Sequence, residues 1–289
     1  MADIRIEHVV VDGVRSLVRE AGSPGAREAV VFVHGNPGSS EDWLDLMAHV
    51  PKLARCVAPD MPGYGKAERP RAFPFSVEGY GRYLGGLLDQ LGIERAHLVL
   101  HDFGGAWGLE WASRHRERVA TLTLFNVGIA TGYAWHFIAR LWRTRLLGEL
   151  AQLVTTRGRF RRTLNRANPK PLPNTFLDRM FDDADPEHNR AVLRLYRATQ
   201  DLGALSERYG AALKPLNLPA LVVWGEADRF MPVKYAAVQA EYFAAQVHTL
   251  PSCGHWPMVD EPERVLGLVM SFLARHVGTD VQASTRAIG

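Results

Sequence analysis

Two hydrophobic rhythms divide this chain. Up to about residue 125, and again after Leu218, short apolar runs of strand length alternate with segments whose apolar residues recur every three or four positions. Between about 128 and 212 only the helical rhythm is present. Ile4 to Val11 and Val14 to Glu20, joined at Asp12-Gly13, predict an antiparallel hairpin. Ala29 to Val33 is a continuous apolar run, as a strand buried on both faces requires. Arg55 to Ala58 is a further short strand, followed by the turn signal Asp60-Met61-Pro62-Gly63. A helix starts near Ser76, carries Tyr80, Tyr83, Leu84, Leu87, Leu88 and Leu91 on one face, and stops at Gly92. The strand Leu98 to His101, a helix from about Gly104 to Arg114 and the strand Val119 to Phe125 follow. Helices rich in Arg and Leu, broken at Asn168-Pro169-Lys170-Pro171-Leu172-Pro173, fill the insertion. Pro219 to Trp224, a helix around Val233 to Phe243, Val247 to Leu250 and a helix from Pro262 to His276 complete the pattern, and the tail after Gly278 is expected to be mobile. Repeated strand and helix crossovers predict an α/β fold, a mainly parallel sheet covered on both faces.

Composition narrows the classes. A chain of 289 residues with 47% hydrophobic content has ample material for a buried core, which excludes a disordered chain or a small disulfide scaffold. The first residues are charged and lack a signal-like apolar segment, and no run reaches the roughly 18 apolar residues of a membrane span. A cytoplasmic protein with no membrane association is the expectation. Cys56 and Cys253 are too few and too far apart for a disulfide framework or a metal site. The net charge is only +3, yet between Ala134 and Leu177 nine basic residues face the single acid Glu149. That stretch has no nucleic-acid motif and reads as a solvated helical exterior.

Chemistry concentrates at strand ends. Leu98-Val99-Leu100-His101-Asp102-Phe103-Gly104-Gly105 is an apolar strand running into a glycine-opened helix with a carboxylate at the bend. An aspartate there is either a helix cap or the side chain that a sharp strand-to-helix turn projects into an active site. A carboxylate is a poor acyl-transfer nucleophile, but it attacks electrophilic alkyl carbon to form an ester. Asp228, in Gly225-Glu226-Ala227-Asp228, and His255, in Gly254-His255-Trp256-Pro257, follow two later strands. Nucleophile, acid and histidine in this order form a hydrolytic triad, with Glu226 as the alternative acid.

On these motifs, together with His34-Gly35-Asn36-Pro37, the chain resembles the epoxide hydrolase and haloalkane dehalogenase branch of the α/β-hydrolases. The resemblance implies an eight-stranded, mostly parallel sheet with helices on both faces. It divides the chain into a core domain, residues 1–127 and 213–289, and a helical cap, residues 128–212. It assigns Asp102 as nucleophile, His255 as the base that activates water and Asp228 as the acid orienting His255. The backbone N–H groups of Asn36 and Phe103 would form the oxyanion hole.

Phe103 bears on the leaving group. In the dehalogenases that this chain resembles, tryptophan typically follows the nucleophile and its indole N–H holds halide; phenylalanine has no donor. Epoxide hydrolases of this fold use cap tyrosines to protonate the ring oxygen. Tyr133 and Tyr196 match those positions, with His136 as the substitute donor and Tyr209 assigned to packing. Trp107, Trp135 and His136, with Phe137 and Trp142 nearby, are expected to line a largely apolar pocket. The expected activity is conversion of a small apolar epoxide and water into a vicinal diol without cofactor or metal. A haloalkane dehalogenase and a non-catalytic ligand binder are the alternatives. No nucleic-acid partner is expected, and a homodimer is compatible with the chain.

Overall fold

The computed structural model describes residues 3–278; the tail expected to be mobile lies outside the described residues from 279 onward. Eight strands form one sheet: β1 Arg5–Val11, β2 Val14–Ala21, β3 Glu28–Val33, β4 Arg55–Pro59, β5 Arg95–His101, β6 Val119–Phe125, β7 Pro219–Gly225 and β8 Ala244–Leu250. Their order is β1-β2-β4-β3-β5-β6-β7-β8. β1 and β2 form the antiparallel hairpin and β2 runs antiparallel to β4; every later pairing is parallel.

The alternation of strand side chains builds two cores from one sheet. Val31, Val33, Leu98, Leu100, Val222 and Trp224 face the helices Val77–Gln90 and Phe103–Arg114. Their neighbours Val30, Phe32, Val99, Leu221 and Val223 face the helix Pro262–His276. Both faces of the central strands are therefore covered, which is why they read as unbroken apolar runs. β8 differs. It lies at the sheet edge with a largely exposed alternation, so its first three residues carry no apolar signal and the strand begins at Ala244 instead of Val247.

Ser76 caps the helix Val77–Gln90 by accepting from the Gly79 N–H. The helix Phe103–Arg114 lies unusually close to the sheet because three glycines face it. A Cβ at Gly104 would overlap the Val33 carbonyl, one at Gly105 the Val127 side chain, and one at Gly108 the Leu100 side chain. The segment expected around Val233 to Phe243 is shorter, a helix Lys234–Val238 followed by a single turn of 3₁₀ helix. Between β3 and β4 the chain forms short helical turns, among them Ser40–Trp43 and Leu44–Met47, too brief for periodicity to reveal.

Between β6 and β7 the chain is helical: Phe137–Arg143, Leu147–Leu153, Arg157–Ala167, Asn174–Asp182, Pro186–Ala198 and Leu202–Leu213. Pro173 precedes the Asn174 helix, and the proline-rich break separates it from the one before. Among the described residues no helix is long and apolar enough to cross a membrane. Cys56 and Cys253 are buried free thiols, and burial pushes both up to about 12, leaving them unreactive.

Candidate active site

Asp102 stands at the end of β5 with φ 50 and ψ −126, a backbone conformation that L-residues rarely adopt. Holding it costs on the order of 1–3 kcal/mol, and the surrounding packing must sustain that strain. Its side chain does not cap the following helix. Instead Oδ1 accepts the Asn36 backbone N–H at 2.7 Å, and Oδ2 lies 3.4 Å from His255 Nε2. Gly35 makes this approach possible: a Cβ there would overlap Asp102 Cβ and come within 2.5 Å of Oδ1.

His34, to which sequence reasoning gave no separate task, fixes the strand-end loop carrying Asn36. Its Nε2 accepts from Met61 N–H at 3.0 Å, so the proton sits on Nδ1 and is donated to the Gly35 carbonyl at 2.9 Å. Burial holds this imidazole below its usual range, and therefore neutral. Phe103 is the first residue of its helix, so its N–H has no intrahelical acceptor.

Asp228 is buried and fully engaged. Oδ1 accepts from the N–H groups of Phe230 and Met231 at 2.7 and 3.0 Å, and Oδ2 accepts His255 Nδ1–H at 2.7 Å. A fourth bond comes from Asn126, whose Nδ2 donates to Asp228 Oδ2 at 2.5 Å while its Oδ1 accepts Gly225 N–H at 3.0 Å. Asn126 escaped the sequence reading; its position immediately after a predicted strand was the available signal. Glu226, the alternative acid, instead accepts from the exposed Thr249 hydroxyl. His101 supports His255 from behind, donating Nε2–H to its carbonyl at 2.8 Å with the rings 4.7 Å apart.

The electrostatics follow from this enclosure. Burial opposes a charge on His255, but the Asp228 charge and the hydrogen bonds to Asp102 and Asp228 outweigh it, raising the imidazole to about 10. Burial also opposes ionisation of Asp102; His255 overcomes this and lowers the carboxyl to about 2. Burial pulls down Asp228 ionisation as well, and the His255 charge restores it below the usual carboxylate range. All three shifts favour the same resting arrangement, an imidazolium between two carboxylates.

Above Asp102 lie two connected spaces. An inner chamber of about 40 Å³ and an outer cavity of about 600 Å³ share Asp102, His136, Tyr196, Phe230 and His255 in their walls. The inner chamber has room for a water. Tyr196 is buried with its hydroxyl accepting Asn36 Nδ2–H at 3.3 Å, which leaves its own proton free; burial keeps that hydroxyl well above its ordinary range and therefore protonated. Tyr133 also lines the inner chamber, and there its hydroxyl donates to the Phe230 carbonyl at 3.0 Å. His136 faces both spaces. Its Nδ1 accepts Ala139 N–H at 3.3 Å as a helix cap, and burial lowers it to about 4, so the neutral ring carries its proton on Nε2.

Trp135 lines the inner chamber, 6.1 Å from Phe103 and 5.5 Å from Tyr196 between ring centroids, and its buried indole N–H has no partner among the described residues. Trp107 requires correction. It is buried beneath the chamber, stacked on Tyr80 at 4.2 Å, because its position on the helix Phe103–Arg114 turns it toward the core. Tyr209, assigned to packing, is buried in the core and also forms part of the chamber wall. Phe137 and Trp142 line the outer cavity.

The chain belongs to the alpha/beta hydrolase fold family, whose sequence model matches residues 28–262. It is 29% identical over 286 residues to the 2-hydroxy-6-oxononadienedioate/2-hydroxy-6-oxononatrienedioate hydrolase of Burkholderia vietnamiensis, covering 93% of this chain and 94% of the relative. Among solved structures, haloalkane dehalogenase DbeA from Bradyrhizobium elkani is similar with a TM-score of 0.81 and 26% identity over 94% of this chain and 98% of that one. Epoxide hydrolase CorEH shares the fold, with a TM-score of 0.80 at 18% identity over 94% and 99% of the two chains. The protein is a hydrolase of this fold; the bond it cleaves is a separate question, which the site chemistry addresses.

Proposed function

We propose that this hydrolase opens epoxides to vicinal diols through an ester on Asp102. The observation that carries the reading is an ionised carboxylate at the strand-to-helix bend, facing two groups with a proton to give, Tyr196 and His136. Asp102 attacks a ring carbon, the C–O bond breaks, and the oxygen takes a proton from Tyr196 or His136. The His255 imidazolium makes good that proton, leaving a neutral imidazole. With Asp102 esterified, its negative charge no longer holds the proton on His255, so the ring is now a base. It takes a proton from water, and the oxyanion formed at Asp102 is stabilised by the N–H groups of Asn36 and Phe103. Collapse releases the diol and restores the carboxylate and the imidazolium, closing the proton balance. The helical segment 128–212 acts as the cap, bringing its donors over the core nucleophile.

The named oxo-dienedioate relative does not favour the same reaction here. A carboxylate attacking a carbonyl carbon gives an anhydride-type adduct, a poor route for acyl transfer, whereas at alkyl carbon it gives a stable ester. A haloalkane dehalogenase is the second reading. It is favoured by the likeness to DbeA and by the unpartnered Trp135 N–H beside Phe103, a donor of the kind a departing halide needs.

A panel of epoxides and haloalkanes separates the two readings. Single turnover of the preferred epoxide in heavy-oxygen water should label Asp102 before the diol, with label reaching the diol only in later turnovers. Diol formation that survives Asp102→Ala would refute the proposal. Halide release without diol formation would replace it with the second reading.

A further inference from the structure

The helix Arg157–Ala167 divides its arginines between two faces. Arg157 and Arg161, four positions apart, turn toward the helix Asn174–Asp182, where Arg157 pairs with Asp178 and Asp182 and Arg161 with Asp178. The basic stretch is thus partly neutralised by acids that follow it in sequence. Arg159, Arg162 and Arg166, spaced by three and four, instead line the outer cavity that opens off Asp102 and His255. Arg159 donates to the Val154 carbonyl at 2.8 Å. Arg162 and Arg166 are exposed and make no hydrogen bond or ion pair among the described residues.

Among the described residues Asp102 is the only carboxylate in the walls of this cavity. At about 1.5 Å of rise per residue the three guanidinium-bearing positions extend along roughly 10 Å of the rim. Much of the remaining lining is apolar, including Phe137, Leu141, Trp142, Phe181 and Val192. Like charges on one helix face repel, and an anion seated among them relieves that repulsion. A planar guanidinium also matches the two oxygens of a carboxylate.

We propose that the substrate is an amphiphilic acid, its carboxylate held by Arg162 and Arg166 with Arg159 at the edge, and its apolar chain leading the reactive carbon to Asp102. The nature of that carbon rests on the epoxide reading, whereas recognition of the acid does not. The basic rim also steers anions to the opening, an effect that salt screens.

The test compares 10,11-epoxyundecanoate with its methyl ester. The expected kcat/KM ratio favours the acid by about tenfold or more at low ionic strength, a modest size for paired charge-assisted contacts at an exposed rim. The ratio should fall with added salt and approach one in the Arg162→Ala/Arg166→Ala double variant. Equal rates for acid and ester, or a ratio that the double variant preserves, overturn the proposal. Calorimetric binding of undecanoate to the Asp102→Asn protein, with and without the two arginines, separates the questions. Arginine-dependent binding without turnover of any epoxide would sink the reaction assignment alone; arginine-independent binding would sink this inference alone.

Discussion

The Nε2 of His255 lies 3.4 Å from Oδ2 of Asp102, while its Nδ1–H is held by Asp228 at 2.7 Å. One imidazole therefore serves a carboxylate at each nitrogen, and its charge depends on both. Removing the charge of Asp102, by ester formation or by substitution, should release the proton that His255 holds at rest.

Asp102→Asn reproduces that change without substrate. The His255 imidazole should titrate below the value of about 10 set in the resting site, as seen in its ring NMR signals. An unchanged titration would show that Asp228 alone sets the charge of His255. Activity should fall by about 10⁶-fold, the scale expected for loss of a triad nucleophile.

His255→Gln removes the base but keeps the nucleophile. Ester formation should slow, because the proton that ring opening draws from His255 must then come from solvent, but hydrolysis should stall, so mass spectrometry of the variant with substrate should show a stoichiometric adduct on Asp102. Continued multiple turnover, or absence of any adduct, would contradict the division of labour proposed for the two residues.

The pH profile has a defined sign. Asp102 is ionised above about 2, so it imposes no acid limb on kcat/KM in the neutral range. Ring opening draws on the His255 proton, and kcat/KM should decline as pH rises through about 10. Hydrolysis of the ester needs neutral His255, whose affinity for the proton has dropped with the Asp102 charge. Where hydrolysis limits turnover, kcat should rise with pH through that lower value, giving different limbs for the two parameters. Identical profiles for kcat and kcat/KM would argue against the proton cycle.

The two tyrosines should separate. Tyr196→Phe should lower kcat/KM for an epoxide by about 10²-fold, within the range of general acid catalysis, while Tyr133→Phe should cost less, its effect arising through the Phe230 loop. His136→Ala should resemble Tyr196→Phe in rate, with a smaller loss for an epoxide whose alkoxide is less basic. A larger loss from Tyr133→Phe than from Tyr196→Phe would reverse the assignment.

Asn126→Ala leaves every triad member in place but removes one of four bonds to Asp228 and the acceptor of Gly225 N–H. A buried, partly unsatisfied site costs about 1–3 kcal/mol. A lower melting temperature should accompany an upward shift of the alkaline limb, because Asp228, relieved of one donor, is a stronger acceptor for the imidazolium. Loss of stability with an unshifted limb would confine Asn126 to the fold.

The sequence by itself determined the fold class and the succession of strands along the chain, because burial of both sheet faces writes unbroken apolar runs and burial of one helix face writes a period near four, both of them local. It also pointed to Asp102, Asp228 and His255, which the structure brings together because strand ends in a parallel sheet converge on one edge. Where burial is uneven the local signal fades, as at the first residues of β8 and in the short helical turns after β3. The assignment of protons was decided only by tertiary structure. Tyr133 and Tyr196 are alike as cap tyrosines in sequence, yet Tyr133 donates to a carbonyl 97 residues away, whereas Tyr196 accepts from Asn36 and keeps its proton. Trp107 and Trp135 are likewise both plausible pocket residues until packing turns one onto Tyr80 and the other into the chamber. A hydrogen bond depends on the position of both partners to within fractions of an ångström, and no period along the chain records where a distant partner will lie.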